Sequence, residues 1–81
     1  MPDFKELAKA KIQDSRNLVI SKLQGSNSFT LAQQLVVVEG TKQTTMFMKG
    51  AIHMEGLEAL HSLRNALNEA IEQTENEIDT L

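Results

Sequence analysis

The chain has 81 residues, no cysteine and a net charge of −3. That length allows one domain, and the missing thiols exclude disulfides, thiolate metal sites and thiol catalysis. Hydrophobic residues make up 41% of the chain, too many for a disordered tail.

The first predicted element covers residues 3–24. Asp3 and Glu6 have the spacing of a helix-capping pair. Phe4, Leu7, Ala8, Ile12, Leu18, Val19 and Leu23 recur at helical spacing. The stripe they make is wide for one helix and includes Lys11 and Lys22, whose stems can lie along apolar surface. The expectation is a helix touching more than one surface, ended by Gly25 and a Gly25-Ser26-Asn27-Ser28 loop.

The next two elements, residues 30–39 and 43–49, read as strands. Leu35-Val36-Val37-Val38 is β-branched and too short for a helix. Glu39-Gly40-Thr41-Lys42 is a turn signal, and Gly50 closes the second strand. The expected hairpin is apolar on both faces at its centre: Val36 and Val38 oppose Leu35 and Val37, and Met46 and Met48 oppose Phe47. Two helices of one chain cover one face of such a hairpin. The other calls for a sister subunit, because an isolated hairpin is marginal.

The last element covers residues 54–80. Leu57, Leu60, Leu63, Leu67, Ile71, Ile78 and Leu81 form one stripe, with glutamates mostly opposite. Glu75, Glu77 and Asp79 fall at the helix end that disfavours acids. The expected fold is therefore α+β, in the order helix, β-hairpin, long C-terminal amphipathic helix (αββα), assembled as a homodimer or higher oligomer. Val36, Val38, Met46, Met48, Leu60, Leu67 and Ile71 are the candidate self-association residues.

Charge divides along the chain. Residues 1–50 carry seven bases and four acids; residues 51–81 carry one base, Arg64, and seven acids. A cationic half followed by an anionic half suggests two halves that face each other, within or between chains.

Chemistry-bearing signals are few. Glu58 and His61 have the E-x-x-H spacing of half a di-iron bundle site, but no second such pair exists. No G-x-S-x-G elbow, Walker loop or G-x-G-x-x-G is present. The expectation is a protein without catalytic residues, metal or cofactor. Arg64 lies at the rim of the leucine stripe, where a guanidinium calls for an anionic partner. With Arg16, Lys49 and His53 it makes the candidate set for ligand or partner contacts. His53 is expected at the entry to the last helix.

Three functions are compatible with this pattern. The first is a small homo-oligomeric interaction protein that binds and modulates another protein, in the style of phage and mobile-element inhibitors of host or defence systems. The second is a binder holding a nucleotide-like anion between subunits. The third is a nucleic-acid-binding regulator using a basic helix 1 through Lys5, Lys9 and Arg16. The pI of about 5.2 and the lack of an aromatic stacking platform speak against the third. No apolar run approaches the ~20 residues of a membrane-spanning helix, and residues 1–11 lack the apolar centre of a signal peptide. A cytoplasmic protein with no membrane contact is expected.

Overall fold

The computed structural model describes residues 3–79; Thr80 and Leu81, the end of the predicted stripe, lie outside the described residues. The chain is α+β, with five antiparallel strands followed by one helix. The strands are β1 (Phe4–Gln13), β2 (Arg16–Leu23), β3 (Ser28–Glu39), β4 (Lys42–Phe47) and β5 (Ile52–Glu55), and the helix is α1 (Leu57–Asp79). The sheet order is β1-β2-β3-β4. β5 pairs with the first part of β3, on residues 28–31, and β4 with its last part, on residues 34–39.

The predicted first helix is not formed. Residues 4–23 instead make a β-hairpin that turns at Asp14 and Ser15, with Ser15 in the left-handed region at φ 63°. The physical reason lies in β1. Its register against β2 shifts between Glu6 and Ala8 and again between Lys11 and Gln13. Each extra residue interrupts the two-residue alternation of a strand. The interruptions leave Phe4, Leu7, Ala8 and Ile12 at helix-like intervals, which is what the periodicity reported. Between the shifts, Ala8-Lys9-Ala10-Lys11 alternates as a strand does.

β3 and β4 pair across Gly40, which adopts φ 63° in the turn. They are not an isolated hairpin, because β2 and β5 also pair with β3. The last helix begins at Leu57, later than its periodicity implies. Residues 52–55 pair with β3 instead, and Gly56, at φ 83°, makes the bend into α1. The Gly56 amide donates to the Asn27 carbonyl at 2.8 Å, tying the start of the helix to the start of β3.

The strands hold 40 residues and the helix 23. The far-ultraviolet circular dichroism spectrum is therefore expected to carry a strong strand component beneath that of one helix. A purely helical spectrum contradicts this topology.

Directly opposed residues of antiparallel strands share a face. One face carries Ala8, Ala10, Leu18, Ile20, Lys22, Phe29, Leu31, Leu35, Met46, Ile52 and Met54. α1 overlies this face, which is called the helix face below: a cleft of about 440 Å³ lies between Leu7, Ala8 and Ile20 of the sheet and the Leu60, Leu63, Leu67 and Ile71 side of α1. The other, open face carries Lys9, Lys11, Asn17, Val19, Ser21, Thr30, Ala32, Gln34, Val36, Val38, Phe47 and His53. Phe4 of β1 and Phe47 of β4 line one cavity there although two strands separate them in the sheet order, so the sheet curls and this face is concave.

The core is thin. Among the described residues, the buried hydrophobic side chains are Val19 and Phe29. Gln34 is buried too, and accepts a hydrogen bond from Asn17 at 3.3 Å. No helix among the described residues is long and apolar enough to cross a membrane.

Candidate functional site: an uncovered helix and a concave sheet face

α1 is amphipathic, yet it is scarcely packed. No Cα of α1 lies within 8 Å of a strand other than β5, the strand it follows. From Arg64 to Ile78 every residue of the helix is exposed, with Leu67 at 56% and Ile71 at 55%. The chain exposes 6635 Å². A compact folded chain of 9.0 kDa exposes about 4,900 Å², so roughly 1,800 Å² is in excess. The radius of gyration, 15.7 Å, likewise exceeds the ~12 Å of a compact domain of this length. A 23-residue helix that overlies the sheet across an open cleft, without close backbone packing on it, accounts for both.

Apolar positions in α1 step by four and three residues through Leu60, Leu67, Ile71 and Ile78, with Arg64 and Thr74 filling the steps between. That is the spacing of a helix–helix seam. Arg64 lines the cleft beside Leu60 and Leu67. Among the described residues it forms no ion pair, and neither do Glu72 and Glu75.

The predicted site residues do not converge. Arg16 opens β2 and donates to Gln33 Oε1 at 3.4 Å. Lys49 lies in the β4–β5 connection. His53 is inside β5, opposite Thr30, and lines the concave cavity rather than the helix entry. It was misplaced because the strand preceding Gly56 shares its apolar character with the helix that follows. Arg64 lines a different cavity, on the helix face.

The self-association candidates also divide. Leu60, Leu67 and Ile71 lie along the α1 cleft and Met46 is on the helix face. Val36 and Val38 are on the open face, and Met48 lines its cavity. One patch cannot contain both sets.

The basic surface of the predicted first helix is dispersed with the helix itself. Lys9 and Lys11 lie on the open face; Lys5, Arg16 and Lys22 are on the other. Lys9 and Lys11 lie 3.7 and 3.6 Å from Glu6 and Asp14. Glu58 and His61 gain no further ligand: among the described residues no group of three His, Cys, Asp or Glu could hold a metal ion.

The open face carries what sequence reading missed. Phe4 and Phe47, 53% and 59% exposed, border a cavity of about 300 Å³ whose lining includes Ser21, Thr30, Ala32 and His53. Ser21, Thr30 and His53 make no side-chain hydrogen bond among the described residues. With residues 4–23 read as a helix, nothing placed Phe4 across from Phe47. No family model, curated protein or solved structure matches this chain.

Proposed function

We infer that the chain is a small, non-catalytic interaction protein that works as a homo-oligomer, with α1 and the helix face forming the assembly surface and a partner protein bound elsewhere. The observation that carries this reading is the uncovered apolar side of α1, together with the roughly 1,800 Å² of excess surface. Twice that area falls within the ~2,000–5,000 Å² range of obligate homodimers.

A two-fold antiparallel pairing of α1 about Glu69 suits the charges. Such a contact is isologous, so each pair of residues occurs twice. It sets Arg64, the one base of the helix, against Thr74 of the mate, beside the mate's Glu75. It also carries the acidic end of each helix toward the Lys5 and Lys22 row of the other sheet, on the helix face. Charge then fixes the direction of a contact whose affinity comes from apolar burial.

Charge exchange tests the pairing. Arg64→Glu alone is expected to weaken the dimer about tenfold or more, because it sets like charges together. Combining it with Glu75→Arg is expected to restore most of the loss. Sedimentation velocity over a dilution series reads both. Weakening by Arg64→Glu with no recovery in the double variant would reject this direction of pairing.

A further inference from the structure

We propose that the concavity of the open face is a binding site for an unpaired, planar nucleobase, received between Phe4 and Phe47.

The inference begins with an unusual placement of aromatic side chains. The chain has only three phenylalanines and no Trp or Tyr. One, Phe29, is buried; the other two stand more than half exposed around one cavity. A thin core gains from aromatic burial more than from any other kind, yet here two of three rings are left outside it. Exposed rings bordering a concave sheet present π-faces to which any base can stack, whatever its sequence.

The floor between them fits the edge of a base. Ala32 and Ser21 are small and leave the space open, and the volume of about 300 Å³ lies at the lower end of small-molecule sites. Ser21, Thr30 and His53 line this mostly apolar space beside Met48 and Ala51 and carry its polar groups. A hydroxyl donates and accepts, and a neutral imidazole does the same through its two nitrogens. All three lack a protein partner among the described residues. Aromatic side chains together with a few polar groups able to read a base edge are the pattern by which proteins hold unstacked bases.

Charge selects an unpaired base over a duplex. The open face has Lys9 and Lys11, each beside a carboxylate, and no broad basic surface. Duplex binding rests on many phosphate contacts; stacking on one or two bases does not. The cavity also lies on the face away from α1, so it remains open in the dimer proposed above and does not depend on it.

A base is shared by free nucleotides and by single-stranded nucleic acid, and the test separates the sources. The full-length ¹⁵N-labelled protein is titrated with adenosine monophosphate in one arm and with a ten-residue oligothymidylate in the other. In either arm the expected result is saturable amide shifts at Ser21, Thr30, Ala32 and His53. Shifts with the mononucleotide identify a free nucleotide as sufficient; shifts with the oligomer alone identify a single strand. Phe47→Leu, which keeps an apolar side chain, is expected to weaken binding by roughly tenfold, within the range for losing one base stack. Thr30→Val preserves β-branching and removes only the hydroxyl, so it reads the floor separately should Phe47→Leu lose its fold. No shift with either probe at millimolar concentration would overturn the proposal. So would shifts lying elsewhere, shifts unaffected by Thr30→Val and a folded Phe47→Leu, or shifts produced by N-acetyltryptophanamide and by neither nucleotide probe.

Discussion

Replacing Leu67 and Ile71 together by Glu is expected to convert the assembly into monomers and to remove much of the folded structure with it. Unchanged protein should scatter light as at least twice 9.0 kDa at micromolar concentration. Leu67 and Ile71 are more than half exposed in a single chain, so a chain that stays alone has little to lose from the change. In an antiparallel pair about Glu69 they face each other at the centre of the contact. Burying one such side chain is worth roughly 1.5–3 kcal/mol, and a two-fold contact contains each residue twice. Four burials lost imply a dissociation constant raised by on the order of 10⁴ or more, before counting the four carboxylates brought together. Because Val19 and Phe29 are the buried hydrophobics of the lone chain, the circular dichroism signal should fall as the mass falls. The paired control is Val36→Lys with Val38→Lys. These two valines belong, with Met46, Met48, Leu60, Leu67 and Ile71, to the interface expected from sequence. The structure sets them on the open face, and the same mass as the unchanged protein is now expected. Dissociation by the valine change, with the Glu change tolerated, would place the interface on the wrong side of the sheet.

The difference between those two expectations shows what the sequence could carry. The strongest signal, the leucine stripe of the last helix, is also the most nearly local: a helix of 23 residues repeats its period often enough to be read through Arg64 and Thr74. The turn at Gly40 was legible for a similar reason, since β-branched residues lead into it and the glycine supplies a positive φ that other residues adopt at a cost. The first strand was not legible, because its two register shifts replace the period of a strand with intervals that resemble those of a helix. The mistake then propagated. With residues 4–23 taken as helical, the strands around Gly40 lacked neighbours, and their second apolar face was assigned to a sister chain. In the structure β2 and β5 pair with residues 28–35 of β3, so the two strands around Gly40 belong to a larger sheet, while Val38, Met46 and Phe47 remain exposed and α1 adds a second uncovered apolar surface. The open-face cavity was invisible for the same reason, since it exists only when β1 and β4 belong to one curled sheet. Arg64 was picked out for its isolation among leucines, and it does line the cleft. Lys49 and Arg16 carry charge, which is not periodic and does not report where a side chain lies, and His53 follows the expected helix entry, which the structure moves to Gly56.

The second large effect is expected at Phe29. This ring is 5% exposed, and its cross-strand neighbours are Lys22 on β2 and Met54 on β5. It therefore sits in the sheet where three strands meet, two residues from Asn27, whose carbonyl holds the Gly56 amide at the start of α1. Phe29→Ala removes the only buried aromatic group among the described residues, and such truncations cost about 3–5 kcal/mol. A domain of this length has about 4–12 kcal/mol in total, so the change takes a large share of it. Two consequences separate this residue from an ordinary core position. β5 is four residues long and touches only β3 within the sheet, so weakening the Phe29 and Met54 contact is expected to release β5 before the other strands. α1 follows β5 directly through Gly56, and no other strand has a Cα within 8 Å of it, so its placement over the helix face is lost in the same step. Hydrogen exchange should show residues 52–55 losing protection ahead of β2 and the middle of β3, and dilution should dissociate the variant at concentrations where the unchanged protein holds together. Phe29→Leu is expected to give a graded version, with a smaller loss in urea midpoint. Val38→Ala, at a mostly exposed position on the open face, is expected to change the midpoint by less than about 0.5 kcal/mol equivalent. If Phe29→Ala unfolds all strands and the helix together, with no early loss at residues 52–55, then β5 is not the weak link. In that case α1 is held over the sheet by something other than its tether.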